Sequence, residues 1–579
     1  HFNLWSHSLV DGSDNAISAW MAEECNRVLG QELTTDEELL CPEMVQEGKQ
    51  RELNAWKQFK VFSSVDEGSI TKKIIDSRWV LTWKMVDGVK KVKARLVAKG
   101  FQDPDLTEGL VDTSGCVSLR SSHLQVISLS ALQKWKLWSL DIKNAFLQAD
   151  GFDRDVFLRA PDEWNPGGAH RIWKLNAPAY GLNDAPVAFH RSLKRHLMNS
   201  TLSMDRVGLK CIGSSFDPCL FFVFRKTGSA VGAFTTHIDD ILGCGEPGVM
   251  DGIRTFLELR FGELKLQEGN FVHVGMELVQ DSTFSVTLTQ KEFTDKLEPL
   301  GTSPQLWAAR QKLLSPEDVK LCQCKLGELC WLATVSRPDI CARLARISSR
   351  INELTGSDVY RINDLVKTVK QWQPATTLKY MSSLKLDLVP RNVDLAHRKE
   401  RIHGGSMTLV GWSDAAYGNT TCMGKCRLGY LIGVMSANLC GACHVIQWTS
   451  KFTRKLVKSS LGGEVYAFSE MLDHMSMLRE FYGHFAGMSP GLVGLEDCES
   501  LFTHLKNSKM ITEKFLVRHF LSIQQALEEQ ELDNVYWIPG KENPADGLTK
   551  LHSEILPLLR LLESGFYNPG ILRPLKGIT

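Results

Sequence analysis

A chain of 579 residues, 43% hydrophobic and 23% charged, is long enough for three or four domains and has the composition of neither a disordered nor a fibrous protein. Its 67 basic residues balance 67 acidic ones, so bulk charge gives no pull towards nucleic acid; a basic groove has to come from local clusters such as Lys90-Lys91-Val92-Lys93-Ala94-Arg95. Fifteen cysteines without framework spacing argue against a disulfide scaffold, and no apolar run approaches the length of a membrane span.

Residues 1–65 show helical apolar spacing around Trp20-Met21 and Val28-Leu29, then a polar, acidic stretch at Gln31–Leu40, which predicts a helical lead-in and a loose linker. Residues 66–300 read as strands and turns. Alternation over Ile74–Lys84, a turn at Asp87-Gly88 and a second alternating run over Val92–Phe101 predict a hairpin with Lys93 and Arg95 on one face. On alternation alone that face is simply solvated. An apolar strand, Leu137–Leu140, delivers Asp141, and Thr236–Leu242 reads as a hairpin with Asp239 and Asp240 at its tip. Adjacent like charges repel and need a cation or solvent to take up the charge, so an Asp pair by itself is an ordinary turn. A strand-end Asp together with a hairpin Asp pair is the set that a two-metal phosphoryl-transfer site requires.

Residues 301–404 predict a helical connection, with a polar, basic linker from Leu386 to Gly405. A further domain follows over 405–552. An apolar strand ends at Asp414, a helix starting near Leu461 carries Glu464 in its first turn, another strand ends at Asp497, and a loop holds Asp546. Four carboxylates so placed can converge on a pair of ions and activate water against a phosphodiester. Residues 553–579 read as a C-terminal tail.

Several strings resemble the Pol polyprotein of Ty1/copia-type LTR retrotransposons, in its reverse transcriptase and ribonuclease H portion. Asp141–Leu147 is similar to that family's "DVKTAFL", His237–Asp240 to "YVDD", Lys93–Phe101 to "KARLVARGF", Tyr180–Pro186 to "YGLKQAP" and Arg337–Ile340 to the end of "TRPDI". Ile538–Lys550 is similar to "IPGxxNxADxxTK". The resemblance implies a multidomain α+β and α/β protein, a right-hand fingers-palm reverse transcriptase followed by a ribonuclease H-like domain on a mixed five-stranded sheet. It implies RNA- and DNA-templated DNA synthesis and cleavage of the RNA strand of RNA–DNA hybrids, with two Mg²⁺ or Mn²⁺ ions per active site.

By the same resemblance Asp141, Asp239 and Asp240 hold metal in the polymerase, and Asp414, Glu464, Asp497 and Asp546 hold it in the nuclease. Lys93 and Arg95 meet the incoming triphosphate, and Phe146 closes the sugar pocket against a 2′-hydroxyl. Tyr180 and Gly181 lie at the nascent base pair, His237 supports the primer end, and His519 falls near the nuclease product or in packing. The implied partners are RNA template, DNA primer, hybrid and dNTPs, with no membrane, with a dimer or particle association compatible, and with a cytoplasmic particle and the nucleus as the sites of action. Departures stand at His237 for Tyr, Asp184 for Gln, Ala416 for Asp and Gly462 for Glu. With the neutral net charge they motivate two rivals: a decayed or domesticated copy that binds nucleic acid without polymerising, and a nuclease whose polymerase half is scaffold.

Overall fold

The computed structural model describes residues 32–575 apart from 67, 69, 71, 87, 113–116, 152, 165–171, 199–207, 304–309, 374–375, 385–406, 418–424, 454–455, 487–489, 508–513 and 515. The expected helix around Trp20 and Val28 and the expected linker from Leu386 to Gly405 lie outside the described residues. The acidic stretch expected as loose linker contains a helix, α1 (Thr35–Leu40), closed by a capping box between Thr34 and Glu37. Reciprocal satisfaction of orphan amides holds this turn although it has no buried face. Next comes α2 (Pro42–Gln58), which buries Leu53 and Trp56 and lies against the fully paired hairpin of β3 (Ser77–Val86) and β4 (Val89–Ala98). Along β4, Val92, Ala94, Leu96 and Ala98 turn inward while Lys91, Lys93 and Arg95 face out, as the alternation predicts.

Beside the hairpin stands a small sheet in the order β1 (Phe62–Val65), β7 (Ile172–Leu175), β6 (Phe157–Arg159) and β2 (Ile74–Ile75). The central sheet has six strands, ordered β12 (Lys265–Glu268), β5 (Lys136–Asp141), β11 (Asp240–Gly245), β10 (Ala230–His237), β9 (Leu220–Arg225) and β8 (Leu209–Gly213). Against one of its faces lies α3 (Arg120–Gln133), in which every residue from Ser121 to Leu132 is buried. Its N-terminus is capped at a distance: the Asp217 carboxylate accepts the Leu119 amide at 2.9 Å and the Ser122 hydroxyl at 2.6 Å. A third sheet runs β13 (Asn270–His273), β14 (Met276–Gln280), β15 (Val286–Thr289) and β16 (Leu378–Tyr380). The expected helical connection is α4 (Pro316–Val335), α5 (Cys341–Ser348) and α6 (Gly356–Trp372).

The last sheet is mixed, ordered β20 (His444–Phe452), β18 (Arg427–Ser436), β17 (Met407–Ala416), β21 (Gly491–Glu496), β22 (Asn534–Trp537) and β24 (Arg573–Pro574), while β19 (Gly441–Ala442) and β23 (Phe566–Tyr567) pair as a separate ribbon. β17, β18 and β20 pair antiparallel, whereas β17, β21 and β22 run parallel. Five strands were expected; the sixth comes from the segment read as a tail. That segment also forms α9 (Leu556–Ser564), which buries Leu558, Leu561 and Leu562, so its leucine spacing makes it part of the core. Packed across this sheet is α7 (Ser460–Ala486), with α8 (Val517–Glu528) against it.

One continuous apolar core runs from Leu124 and Ile127 on α3, through Leu329 on α4, to Trp448, Phe468 and Leu558. Polar groups cross the same boundary. Ser128 meets His444 Nδ1 at 2.9 Å, the Gln125 amide donates to the Leu478 carbonyl at 2.9 Å, and Trp448 Nε1 donates to the Ala333 carbonyl at 2.9 Å. Arg120, at the head of α3, donates to the carbonyls of Thr334 and Trp448 and to Gln447 Oε1 at 2.8–2.9 Å, with its guanidinium 4.1 Å from the Trp448 ring centre.

Candidate active sites

Strand register builds the first site. Asp141 ends β5 directly opposite Asp240, the first residue of β11, and Lys265 of β12 flanks Asp141 on its other side. The hairpin from His237 to Asp240 turns through Ile238 and Asp239, and the Asp239 carbonyl accepts the Ile142 amide at 3.0 Å. Ile238 holds φ at 59°, a left-handed conformation that costs a β-branched residue roughly 1–3 kcal/mol. Burial, then Asp239 and Asp141, push Asp240 up to about 7; burial, then Asp141, raise Asp239, against the pull of Arg95 and Lys93. Carboxylates held this high form a site short of positive charge.

Within electrostatic reach of these carboxylates stand three side chains in mutual contact. The Arg95 guanidinium lies 5.3 Å from the Tyr180 ring centre, and Tyr180 meets Phe146 edge-on at 5.4 Å. Desolvation by its surroundings, then Arg95 and Lys84, lower Lys93 to about 8 even though its side chain reaches solvent; Asp239 and Asp141 pull the other way. Lys93 shares a cavity of about 290 Å³ with Arg51, Lys84, Lys91 and Asn144. The neutral chain thus gathers its cations locally.

Gly181 has φ +87°, and a Cβ there would sit 2.1 Å from the Ala98 carbonyl oxygen, while the Ala98 amide donates to Tyr180 O at 2.7 Å. The glycine is therefore where Tyr180 is clamped against β4. Gly181→Ala is expected to destabilise by about 2–4 kcal/mol through left-handed strain and overpacking. Thermal melts would show the loss, and steady-state kinetics a raised KM for nucleotide. The departure at Asp184 also has a structural reason: Asp184 Oδ2 accepts Arg154 Nε at 2.8 Å, and the same guanidinium reaches Asp103 and Asp105.

Behind the hairpin His237 belongs to a row of three imidazoles. His123 on α3 has its ring centre 6.0 Å from that of His237 and 5.3 Å from that of His273. Burial drives His123 down to about 4, His237 to about 3 and His273 well below the ordinary range. A histidine whose folded pKa lies below its unfolded value of 6.5 withdraws stability as pH falls below 6.5. For His123 that loss reaches about 3 kcal/mol by pH 4. Acidifying from pH 7.5 to 5 is thus expected to lower the melting temperature of the parent more than that of His123→Gln; parallel melts of the two would check it.

In the second site the parallel strands set the carboxylates. Asp414 stands near the end of β17, Asp497 directly follows β21, Asp546 opens a short helix (Asp546–Thr549), and Glu464 sits near the start of α7. Asp414, Asp497 and Asp546 each bring one oxygen to within 4.8 Å of the others; among the described residues Asp141, Asp239 and Asp240 do not converge so closely. Burial, then Asp414, push Asp546 up to about 8, and burial, then Glu496 and Asp414, raise Glu464 well above its range. Glu464 Oε2 is buried without a hydrogen-bond partner. Crowded carboxylate oxygens, one of them unanswered, fit a hard divalent cation such as Mg²⁺ or Mn²⁺.

Lys550 extends its ammonium into this cluster, 2.9 Å from Asp414 Oδ1 and 2.8 Å from Asp546 Oδ1, and the Thr549 hydroxyl donates to Asp414. His519 points elsewhere: it meets the Ser469 hydroxyl at 3.1 Å and the Tyr466 ring at 4.8 Å, in the packing of α8 on α7. Sequence reasoning gave no role to Lys550, Thr549, Glu496, Lys265, His123 or His273. Lys550 had a signal, since it lies four residues after Asp546 and so returns to the same helix face. His123 and His273 had none, because they reach His237 only through the tertiary fold.

Residues 59–298 match the reverse transcriptase (RNA-dependent DNA polymerase) family. The chain is 23% identical over 506 residues to the retrovirus-related Pol polyprotein from transposon TNT 1-94 of Nicotiana tabacum, covering 83% of this chain and 35% of that protein. It is 25% identical over 424 residues to the corresponding polyprotein from transposon RE1 of Arabidopsis thaliana, covering 70% and 26%. The chain thus spans about a third or less of the length of these curated relatives. Two solved structures are similar at 16% identity and a TM-score of 0.19: the LC11 RNase H1 isolated from compost, matched over 24% of this chain and 91% of that one, and the N-terminal RNase H domain of rv2228c from Mycobacterium tuberculosis, matched over 27% and 97%.

Proposed function

We propose, from the match of residues 59–298 to the reverse transcriptase family and the similarity to copia-type Pol polyproteins, that the chain copies RNA and DNA templates into DNA and cleaves the RNA strand of the hybrid. The observation that carries the polymerase reading is the pairing of Asp141 with Asp240 within electrostatic reach of Arg95, which contacts Tyr180 and through it Phe146. In this reading the β3–β4 hairpin is the fingers and the central sheet the palm. Asp141, Asp239 and Asp240 in the palm, and Asp414, Glu464, Asp497 and Asp546 in the nuclease, would each hold two Mg²⁺ or Mn²⁺ ions, which supply charge neutralisation and an activated oxygen nucleophile.

The remaining work falls to the chain's own groups. Arg95 and Lys93 bind triphosphate oxygens, the guanidinium through paired donors and the ammonium as a point charge. Phe146, held edge-on by Tyr180, bounds the sugar and rejects a 2′-hydroxyl by contact. His237, largely buried at the base of the hairpin, supports the primer sugar. The nuclease reading draws on the order of the mixed sheet, with strands counted in chain order as third, second, first, fourth and fifth, and on carboxylates at its strand ends.

The test is extension of a labelled DNA primer on an RNA template by the purified chain, in Mg²⁺ and then Mn²⁺, with hybrid cleavage scored in the same tubes. Extension with cleavage supports the full reading. Cleavage without extension leaves a nuclease on a scaffold, and neither activity leaves a nucleic-acid-binding relic.

A further inference from the structure

Backbone pairing between β17 and β21 stops short of the nuclease carboxylates: its last register pair is Trp412 with Leu495. Beyond that point β17 continues paired only to β18, with Asp414 opposite Gly429, and Asp497 follows the end of β21, so no ladder bond ties these two segments to each other while their like charges push them apart. Side chains bridge the gap, and the one that reaches Asp497 itself is Asn543. Asn543, fully buried, donates through Nδ2 to the Ser413 carbonyl at 2.9 Å and to Asp497 Oδ1 at 3.0 Å. Its Oδ1 accepts the Ala545 amide at 3.0 Å, fixing the turn that delivers Asp546. Ser413 is held from its other side as well, its hydroxyl donating to Glu496 Oε2 at 2.7 Å.

We infer that Asn543 is a positioning residue of the nuclease site: its single amide ties together the three chain segments that carry Asp414, Asp497 and Asp546, and so sets the spacing between Asp497 and Asp414. This inference rests on the nuclease reading above. An amide suits the task because it offers two donors to two oxygens on different strands and keeps an acceptor for its own turn, without adding charge to a crowded anionic cluster. Asp546 and Asp414 keep a second tie through Lys550 and Thr549, so loss of the amide falls on Asp497 in particular.

The experiment counts Mn²⁺ by electron paramagnetic resonance in the full chain, with Asp239→Asn and Asp240→Asn present so that only the nuclease ions are read. Asn543→Ala removes every contact; Asn543→Ser keeps an acceptor near the turn but is too short to reach Asp497. Both variants are expected to lose at least tenfold in affinity for one of the two ions, the one that Asp497 holds, and to bind the other as the parent does. Equal affinity for both ions in parent and variants would overturn the inference, as would equal weakening of both, which marks a general loss of structure. Failure of both variants to fold would place Asn543 in the core and overturn it too. A parent chain that binds no Mn²⁺ at all would instead overturn the nuclease reading itself.

Discussion

Asp240→Asn is expected to lower primer extension by three orders of magnitude or more while leaving hybrid cleavage within about twofold of the parent. A thousandfold corresponds to roughly 4 kcal/mol of lost transition-state stabilisation, the scale on which preorganised charge acts in a water-poor site. The substitution keeps the side chain's shape, so the β10–β11 hairpin and its bond to Ile142 survive, and only the negative charge opposite Asp141 disappears. The same residue sets a pH dependence. Its folded value of about 7 lies above the ordinary 3.8, so in the metal-free protein its ionisation withdraws stability as pH rises through 7. A divalent cation offsets that loss only where the carboxylate is ionised. Mg²⁺ should therefore raise the melting temperature more at pH 8 than at pH 6, and Asp240→Asn should flatten the difference. Undiminished extension by the variant would remove Asp240 from the chemistry.

Arg120→Ala is the substitution expected to do most damage away from either site. Its guanidinium satisfies two backbone carbonyls and one side-chain amide contributed by the connection helices and by β20, and it lies over Trp448. Hydrogen bonds to a charged group are worth roughly 1.5–3 kcal/mol each, and truncation leaves buried acceptors unanswered, so a loss of about 3–5 kcal/mol is expected. Extension and cleavage should fall together, because the residue belongs to the joint between the two halves. A variant that lost one activity and kept the other at full strength would show that the joint transmits nothing.

Much of this was legible in the sequence wherever a local string carried the information. The alternation over Val92–Phe101 gave the exposed Lys93 and Arg95 of β4, and apolar runs ending in Asp gave the end of β5 at Asp141 and of β21 just before Asp497, whereas β17 runs two residues past Asp414 because β18 continues to pair with it. What could not be read were contacts made across the fold. The imidazole row joins three separate elements, and Asp184 answers Arg154 thirty residues away. The segment after Ile555 read as a tail because its strand is two residues long and pairs with β22 only once the sheet exists. The capping box at Thr34 and Glu37 was local and readable; the acidic composition of that stretch hid it.

Helix α3 is roofed on one side by the central sheet and on the other by β20, and this arrangement ties the two halves into one heritable unit. A copy truncated by a premature stop codon ahead of β17 would lose the acceptor at Leu478 that answers Gln125 and the imidazole that answers Ser128. It would also turn Leu124 and Ile127, with much of the core around them, out to water. Such a product, with its core exposed, is a client for chaperones and proteases. Under the proposed function, selection on either activity would act on the whole chain, because neither half keeps its covering of that helix without the other.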